Sequence, residues 1–268
     1  MADRITAVGI HDVARTFHGD MNSLRKITDY WGWVDGLYLA KNDDGIATRL
    51  LHGYAYEPQS RKLWRSLCAD AQIAVDVGAH TGIYSLDACR SGAKQVLSIE
   101  PYYLNFARLM MNLRHANYNT NSTIFAAASD RNEIDRINIR GAHYYCSAGA
   151  TIGPSKISNL RFPVYVMRLD SMLPEEDYAS VKVVKIDTEH HGTRVLAGMP
   201  GILSYRPDLI LECIEPGLDE RLKPLGYHFY KINEENDKNF GLEAVSDLTP
   251  DHPFSFSTPN RYATVKEL

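Results

Sequence analysis

The stretch Ala74-Val75-Asp76-Val77-Gly78-Ala79-His80-Thr81-Gly82-Ile83-Tyr84-Ser85 constrains this chain most. A short β-branched run carries an acid, a loop holds glycines at 78 and 82, and a helical pattern follows. That is a strand, a glycine loop and a helix N-terminus at the opening of an open α/β sheet. Nucleotide-like ligands bind at such a place, beyond the carboxyl end of the strand. Gly78 is expected to let the backbone approach the ligand closely, because it has no Cβ.

The spacing is Asp-x-Gly-x-x-x-Gly rather than the Gly-x-Gly-x-x-Gly of dinucleotide sites. A dinucleotide presents a pyrophosphate, which wants bare N–H groups and a helix dipole. S-adenosylmethionine (SAM) has no phosphate. It carries a sulfonium and an ammonium, so a carboxylate such as Asp76 beside the loop suits it. The expected cofactor residues here are Asp76, Gly78, Ala79, His80, Thr81 and Gly82. Gln95-Val96-Leu97-Ser98-Ile99-Glu100 then reads as a second strand ending in an acid, 24 residues after Asp76. An acid at that distance accepts hydrogen bonds from a ribose diol. Glu100 and its neighbour Pro101 join the cofactor set.

A length of 268 residues suits one α/β domain with an N-terminal extension. A formal net charge of −4 argues against a broad basic surface for nucleic acid. No apolar run approaches the roughly 18 residues of a membrane span, and Met1 to Thr6 lack the apolar core of a signal peptide. Cys68, Cys89, Cys146 and Cys213 are widely spaced, as thiols of a cytoplasmic protein are.

The remaining pattern alternates as a doubly wound sheet should. Strands are expected at 73–77, 95–100, 123–127, 181–186 and 208–213, with last strands at 228–232 and 262–265. Helices are expected near 58–69, 82–91, 102–116, 192–198 and 217–225. Residues 1–60 read as an extension that caps the domain or makes an oligomer contact. It holds a helix over His11–Tyr30, short strands at Leu37–Leu39 and Thr48–Leu51, and a turn at Asn42–Gly45 between them. Residues 61–268 form the main domain. The segment 131–165 is an insertion, with Ile137-Asn138-Ile139 and Val164-Tyr165-Val166 as extra strands. Small residues around Tyr144 and Tyr145 suit either a lid over the substrate or a packed surface loop.

Val75-Asp76-Val77-Gly78-Ala79-His80-Thr81-Gly82 resembles the first motif of the FkbM-type SAM-dependent methyltransferases. So does Ile99-Glu100-Pro101 with Leu109, Asn112 and Asn117 beyond it. Tyr56-Glu57-Pro58, Arg168-Leu169-Asp170-Ser171-Met172, Val184-Lys185-Ile186-Asp187-Thr188-Glu189 and Val195-Leu196-Ala197-Gly198 are similar too. The resemblance spans roughly residues 54–232. It implies a Rossmann-like class I methyltransferase sheet with helices on both faces. It also implies O-methylation of a natural-product or sugar hydroxyl. One departure stands out. Where the family reads Asp-x-Glu-Gly-x-Glu, this chain reads Asp187-Thr188-Glu189-His190-His191-Gly192.

Methyl transfer to an alcohol needs the acceptor oxygen about 3–3.5 Å from the methyl and a base for its proton. The candidates after the fourth core strand are His190, His191 and Asp187, with Glu189 and the tyrosine pair facing the substrate. Each histidine has the plainer alternative of a solvated or hydrogen-bonded loop residue. Asp187 also reads as a cofactor contact. No metal is expected; the alternative is Mg²⁺ on Asp187, Glu189 and Glu212. Asp130 is expected at the adenine amino group or as a turn initiator. Glu57 either caps a helix or approaches the methionine end of SAM. Tyr102 and Tyr103 either flank the adenine or start a helix at the surface. Three functions follow: an O-methyltransferase, a SAM-binding partner without turnover, or, against the charge balance, a nucleic-acid methyltransferase. Homo-oligomerisation stays open.

Overall fold

The structure, a computed structural model, describes residues 24–28, 35–40, 45–51, 53–118, 121–139, 149–152, 160–212, 215–248 and 260–268. Strands β1 (Leu24–Thr28) and β2 (Asp35–Ala40) pair antiparallel, and helices α1 (Gly45–Leu51) and α2 (Pro58–Cys68) follow. Then come β3 (Ile73–Val77), α3 (Ile83–Ser91), β4 (Gln95–Ile99), α4 (Tyr103–His115) and β5 (Asn121–Ile124). Strands β6 (Ala127–Ser129), β7 (Glu133–Ile139), β8 (Ala150–Ile152) and β9 (Leu160–Arg168) build a separate four-stranded sheet. The chain returns with β10 (Val181–Ile186), α5 (Gly192–Ala197), α6 (Pro200–Ser204) and β11 (Asp208–Leu211). It closes with α7 (Leu218–Leu222), β12 (His228–Ile232), β13 (Leu242–Val245) and β14 (Arg261–Thr264).

The large sheet has the order β13-β12-β14-β11-β10-β3-β4-β5, with β11 through β5 parallel and β14 wedged antiparallel between β11 and β12. The chain runs one way from β3 through β4 and β5, and the other way through β10 and β11. The switch point therefore lies between β3 and β10, where an open α/β sheet forms its ligand crevice. Both sheet faces are covered. Trp64, Leu86 and Leu109 of α2, α3 and α4 pack on one face; Leu196, Ile202 and Leu222 of α5, α6 and α7 pack on the other. Buried parallel strands should be apolar throughout. Asp76 in β3 and Lys185 in β10 break that rule, and the register makes them direct cross-strand neighbours.

Helix α2 is pinned to α3 by charge. Arg61 Nε reaches Asp87 Oδ2 at 2.7 Å, Arg65 Nη1 reaches the same oxygen at 3.2 Å, and all three side chains are buried. This carries the chain from Ile46 and Tyr56 to the rim of the crevice. Strand β2 docks on α4, where Asn112 Oδ1 accepts from the Tyr38 N–H (3.0 Å).

Several expected elements differ. Leu24–Thr28 is a strand, not the end of a helix over 11–30; residues 11–23 of that helix lie outside the described residues. Thr48–Leu51 belongs to helix α1, which buries Ala47 and Leu50 one turn apart. Of the Asn42–Gly45 turn, residues 42–44 lie outside the described residues and Gly45 opens α1. The single strand expected at 123–127 is two: β5 ends at Ile124 in the large sheet and β6 starts at Ala127 in the small one. The two strands expected at 137–139 and 164–166 lie within β7 and β9, which pair antiparallel, but 137–139 faces 160–162 and 164–166 faces 133–135.

Candidate active site

A cavity of about 250 Å³ opens at the carboxyl ends of β3, β4 and β10. Gly78, Ala79 and His80 form its floor. The N–H groups of Gly78 and Ala79 both donate to Ile99 O (2.9 and 3.0 Å), and Asp187 N–H donates to Val77 O (2.9 Å). Gly78 has φ +81°, and a Cβ there would lie 1.7 Å from the carbonyl oxygen of Asp187. The neighbouring strand's backbone thus demands a glycine at this position, which also lines the cavity. Thr81 and Gly82 stand behind the floor and do not line the cavity. The Thr81 carbonyl accepts from Asn112 Nδ2 (2.7 Å), and a Cβ on Gly82 would press 2.8 Å from Leu109.

Glu100 and Pro101 line the cavity. Glu100 Oε2 accepts the His80 N–H (2.9 Å); Oε1 accepts the Tyr102 N–H (2.8 Å) and Asn105 Nδ2 (3.3 Å). One lone pair on Oε2 remains for a ligand. Burial pushes the Glu100 carboxyl up to about 7, although these donors and His80 favour its charge.

The opposite wall is acidic around one lysine. Lys185 Nζ is 2.8 Å from Asp187 Oδ2, 3.7 Å from Glu212 Oε2 and 4.4 Å from the Tyr84 ring centre. Burial works against the charge on Lys185, but Asp187, Glu212, Glu57 and Asp76 outweigh it and raise its pKa. Burial also opposes ionisation of Asp187; Lys185 and a hydrogen bond from Glu212 override it and keep Asp187 an anion. Glu212 holds the proton, raised first by burial and then by Asp187. Asp76 accepts Ser85 Oγ (2.6 Å), and burial raises its pKa against the pull of Lys185. Three buried lining atoms have no hydrogen-bond partner among the described residues: Asp76 Oδ1, Glu212 Oε2 and Thr188 Oγ1.

The residues of the metal alternative, Asp187, Glu189 and Glu212, all line this cavity. The Lys185 ammonium already stands against Asp187 and Glu212, and no group of three potential ligands gathers for an ion among the described residues.

The two histidines separate. His191 is 8% exposed and lines the cavity; His190 is exposed and does not. Glu189, which lines the cavity, and His190 have φ of +49° and +65°, a left-handed turn that a glycine adopts without strain. The resemblance places a glycine at position 190, so the backbone has kept the glycine's shape.

Asp130 does not reach the cavity. Its carboxylate takes Arg131 Nη1 at 3.0 Å and Arg194 Nη1 at 3.1 Å, and it accepts the Ser129 hydroxyl at 3.1 Å. Ser129 Oγ is in turn 3.0 Å from His191 Nε2. With Ser129 donating to Asp130, its oxygen accepts from Nε2–H, and Nδ1 of His191 becomes the basic nitrogen. Burial, then Arg194, lowers the His191 pKa from the ordinary 6.5. Asp130 is therefore tied to His191 through Ser129.

Glu57 also stands outside the lining, accepting the Tyr84 hydroxyl (2.5 Å) from behind. Tyr102 is buried and stacks on Phe162 of the small sheet, centroids 6.0 Å apart, instead of flanking the cavity. Tyr144 and Tyr145 lie outside the described residues.

Lys185 was not anticipated as a site residue, although a lysine inside the apolar run Val183-Val184-Lys185-Ile186 is itself a signal, since lysine is almost never fully buried unpaired. Tyr56, from the Tyr56-Glu57-Pro58 segment, lines the cavity too, and Ile46 and Ile152 come to it from distant segments that no local pattern marks.

A family model described as the methyltransferase FkbM domain matches residues 76–240. Among solved structures, an FkbM methyltransferase from Methylobacillus flagellatus is 16% identical, with a TM-score of 0.46 over 72% of this chain and 44% of that one. The chain thus spans less than half of that protein's length. A precorrin-6y C5,15-methyltransferase from Geobacter metallireducens is 12% identical (TM-score 0.42; 76% and 85% covered). An rRNA methylase from Streptococcus thermophilus is 10% identical (TM-score 0.41; 76% and 92% covered). No curated protein matches the sequence.

Proposed function

The chain belongs to the FkbM methyltransferase family, and from that premise we propose that it binds SAM in the cavity and methylates a hydroxyl of a small molecule or saccharide. The observation that carries the cofactor assignment is the set of buried, unsatisfied oxygens of Asp76, Glu212 and Thr188 around an acidic cavity. An unmade hydrogen bond of that kind costs about 1–3 kcal/mol, and an ammonium supplies the missing donors. Asp76 and Asp187 hold the cationic end, and Glu100 offers its remaining lone pair to the ribose diol. When bound, SAM supplies an electrophilic methyl on a sulfonium.

His191 takes the acceptor's proton on Nδ1 while Ser129 and Asp130 fix its tautomer. Its lowered pKa keeps it neutral near pH 7. Free, buried Cys68 and Cys89 suit a reducing cytoplasm.

Two measurements test this. Titration calorimetry with S-adenosylhomocysteine should give binding that Glu100→Ala weakens by roughly 1.5–3 kcal/mol, the scale of a charge-assisted hydrogen bond. With a mixed panel of hydroxyl acceptors, His191→Ala should lower turnover by about 10²–10⁴ and leave that binding intact, whereas His190→Gly should keep it. Absence of binding refutes the cofactor assignment. Binding without turnover of any acceptor favours a SAM-binding partner protein.

A further inference from the structure

Beside the acidic cavity lies a second hollow of about 500 Å³, which shares His191 and Ile152 with it. Its walls carry Arg131, Arg136, Arg161 and Arg194 against one carboxylate, Asp135. We infer that this recess receives an anionic group of the methyl acceptor, set apart from the hydroxyl that His191 deprotonates. The inference rests on the methyltransferase reading and narrows its substrate to acidic small molecules: phosphorylated, sulfated or carboxylated.

Arg131 is held by Asp130, Glu133 and Asp135, and Arg194 by Asp130, so the charge of both is largely balanced. Arg136 and Arg161 stand on the paired strands β7 and β9. Arg136 lies opposite Pro163, and Arg161 lies opposite Asn138, two residues further along β7. The two are diagonal neighbours on one face of the sheet, roughly 7–8 Å apart at the backbone, a gap that one tetrahedral or planar anion bridges. Both are exposed, and Arg136 has no carboxylate partner among the described residues.

The adjoining cavity sorts the ligand by charge. Asp76, Asp187 and Glu189 repel an anion, so an acidic acceptor enters with its charged end toward the arginines. Its hydroxyl is then left at the shared wall, where His191 stands. A polynucleotide suits the recess less well. It needs a track of phosphate contacts, whereas this hollow is limited in size and the chain has a formal net charge of −4.

The test uses inorganic phosphate and sulfate as probes, titrated into the full chain with and without S-adenosylhomocysteine. Binding should be present in both states, and Arg136→Ala and Arg161→Ala should each weaken it roughly tenfold, the worth of one charge-assisted hydrogen bond. Histidine ring resonances absent from the His191→Ala protein should shift as phosphate binds. No binding overturns the inference. Binding that survives the double substitution marks an adventitious ion only and overturns it too. A short oligouridylate that binds more tightly than phosphate, and loses affinity in the same variants, assigns the recess to a nucleic acid instead. Loss of S-adenosylhomocysteine binding in the unaltered protein would refute the cofactor reading alone, since the phosphate arm does not depend on it.

Discussion

Two clusters of charge meet at His191, and they are built on opposite terms. At the carboxyl ends of the parallel strands, Lys185 is 2% exposed among Asp76, Asp187 and Glu212. At the start of the small sheet, Arg131 is 32% exposed among Asp130, Glu133 and Asp135. Both are a cation ringed by three carboxyls. In the first, water is excluded, so protonation states adjust: Glu212 keeps a proton and Asp187 does not. In the second, solvent screens every pair, and Asp130 stays ionised: its slight burial is outweighed by Ser129, Arg131 and Arg194. The same residue types therefore form a poised site in one place and a surface network in the other.

Removing the central cation should separate the two most sharply. Lys185→Met leaves buried carboxyls without their counter-charge and should cost about 3–5 kcal/mol in denaturant unfolding. A loss below about 1 kcal/mol would put the strand-end cluster in the same class as the surface one.

The next contrast is in pH. The Glu100 carboxyl is raised to about 7 against 4.5, so its stability contribution is full below pH 4.5 and is lost as pH rises through 7. The ionised form is the better acceptor for a diol. Affinity for S-adenosylhomocysteine should therefore climb about tenfold between pH 6 and pH 8, as the ionised fraction rises, and Glu100→Gln should flatten the profile. A flat profile in the unaltered protein would count against the diol contact.

The smallest effect belongs to the surface. Arg131→Ala should change stability by less than about 1 kcal/mol, and the change should shrink further in high salt. A larger, salt-insensitive loss would erase the distinction between the clusters.

The buried parallel strands were legible because they are short continuous apolar runs with turn signals between them, as at Ile73–Val77 and Val181–Ile186. The floor residues followed from the same pattern, as did Glu100. What escaped depends on long-range packing. Ile124 and Ala127 read as one run, yet the chain changes sheets between them, around half-exposed Phe125. The run Thr48–Leu51 has strand-like composition, but Ala47 and Leu50 bury as a helical pair. Asp130 sits where an adenine contact is expected, and its partner Arg194 arrives from sixty-four residues later. His190 and His191 are adjacent in sequence; a left-handed turn sends one outward and the other in.

The wedge at Gly78 bears on motion. Its missing side chain leaves no clearance against the Asp187 carbonyl, while its own N–H is fixed to Ile99. The glycine loop, the end of β4 and the start of the histidine turn thus form one interlocked plate, which cannot swing open for a ligand without breaking strand pairing. Ile46 and Tyr56 on one side and Ala150 and Ile152 on the other line the cavity from outside this plate. A ligand therefore meets a floor held by strand pairing and walls contributed by separate segments.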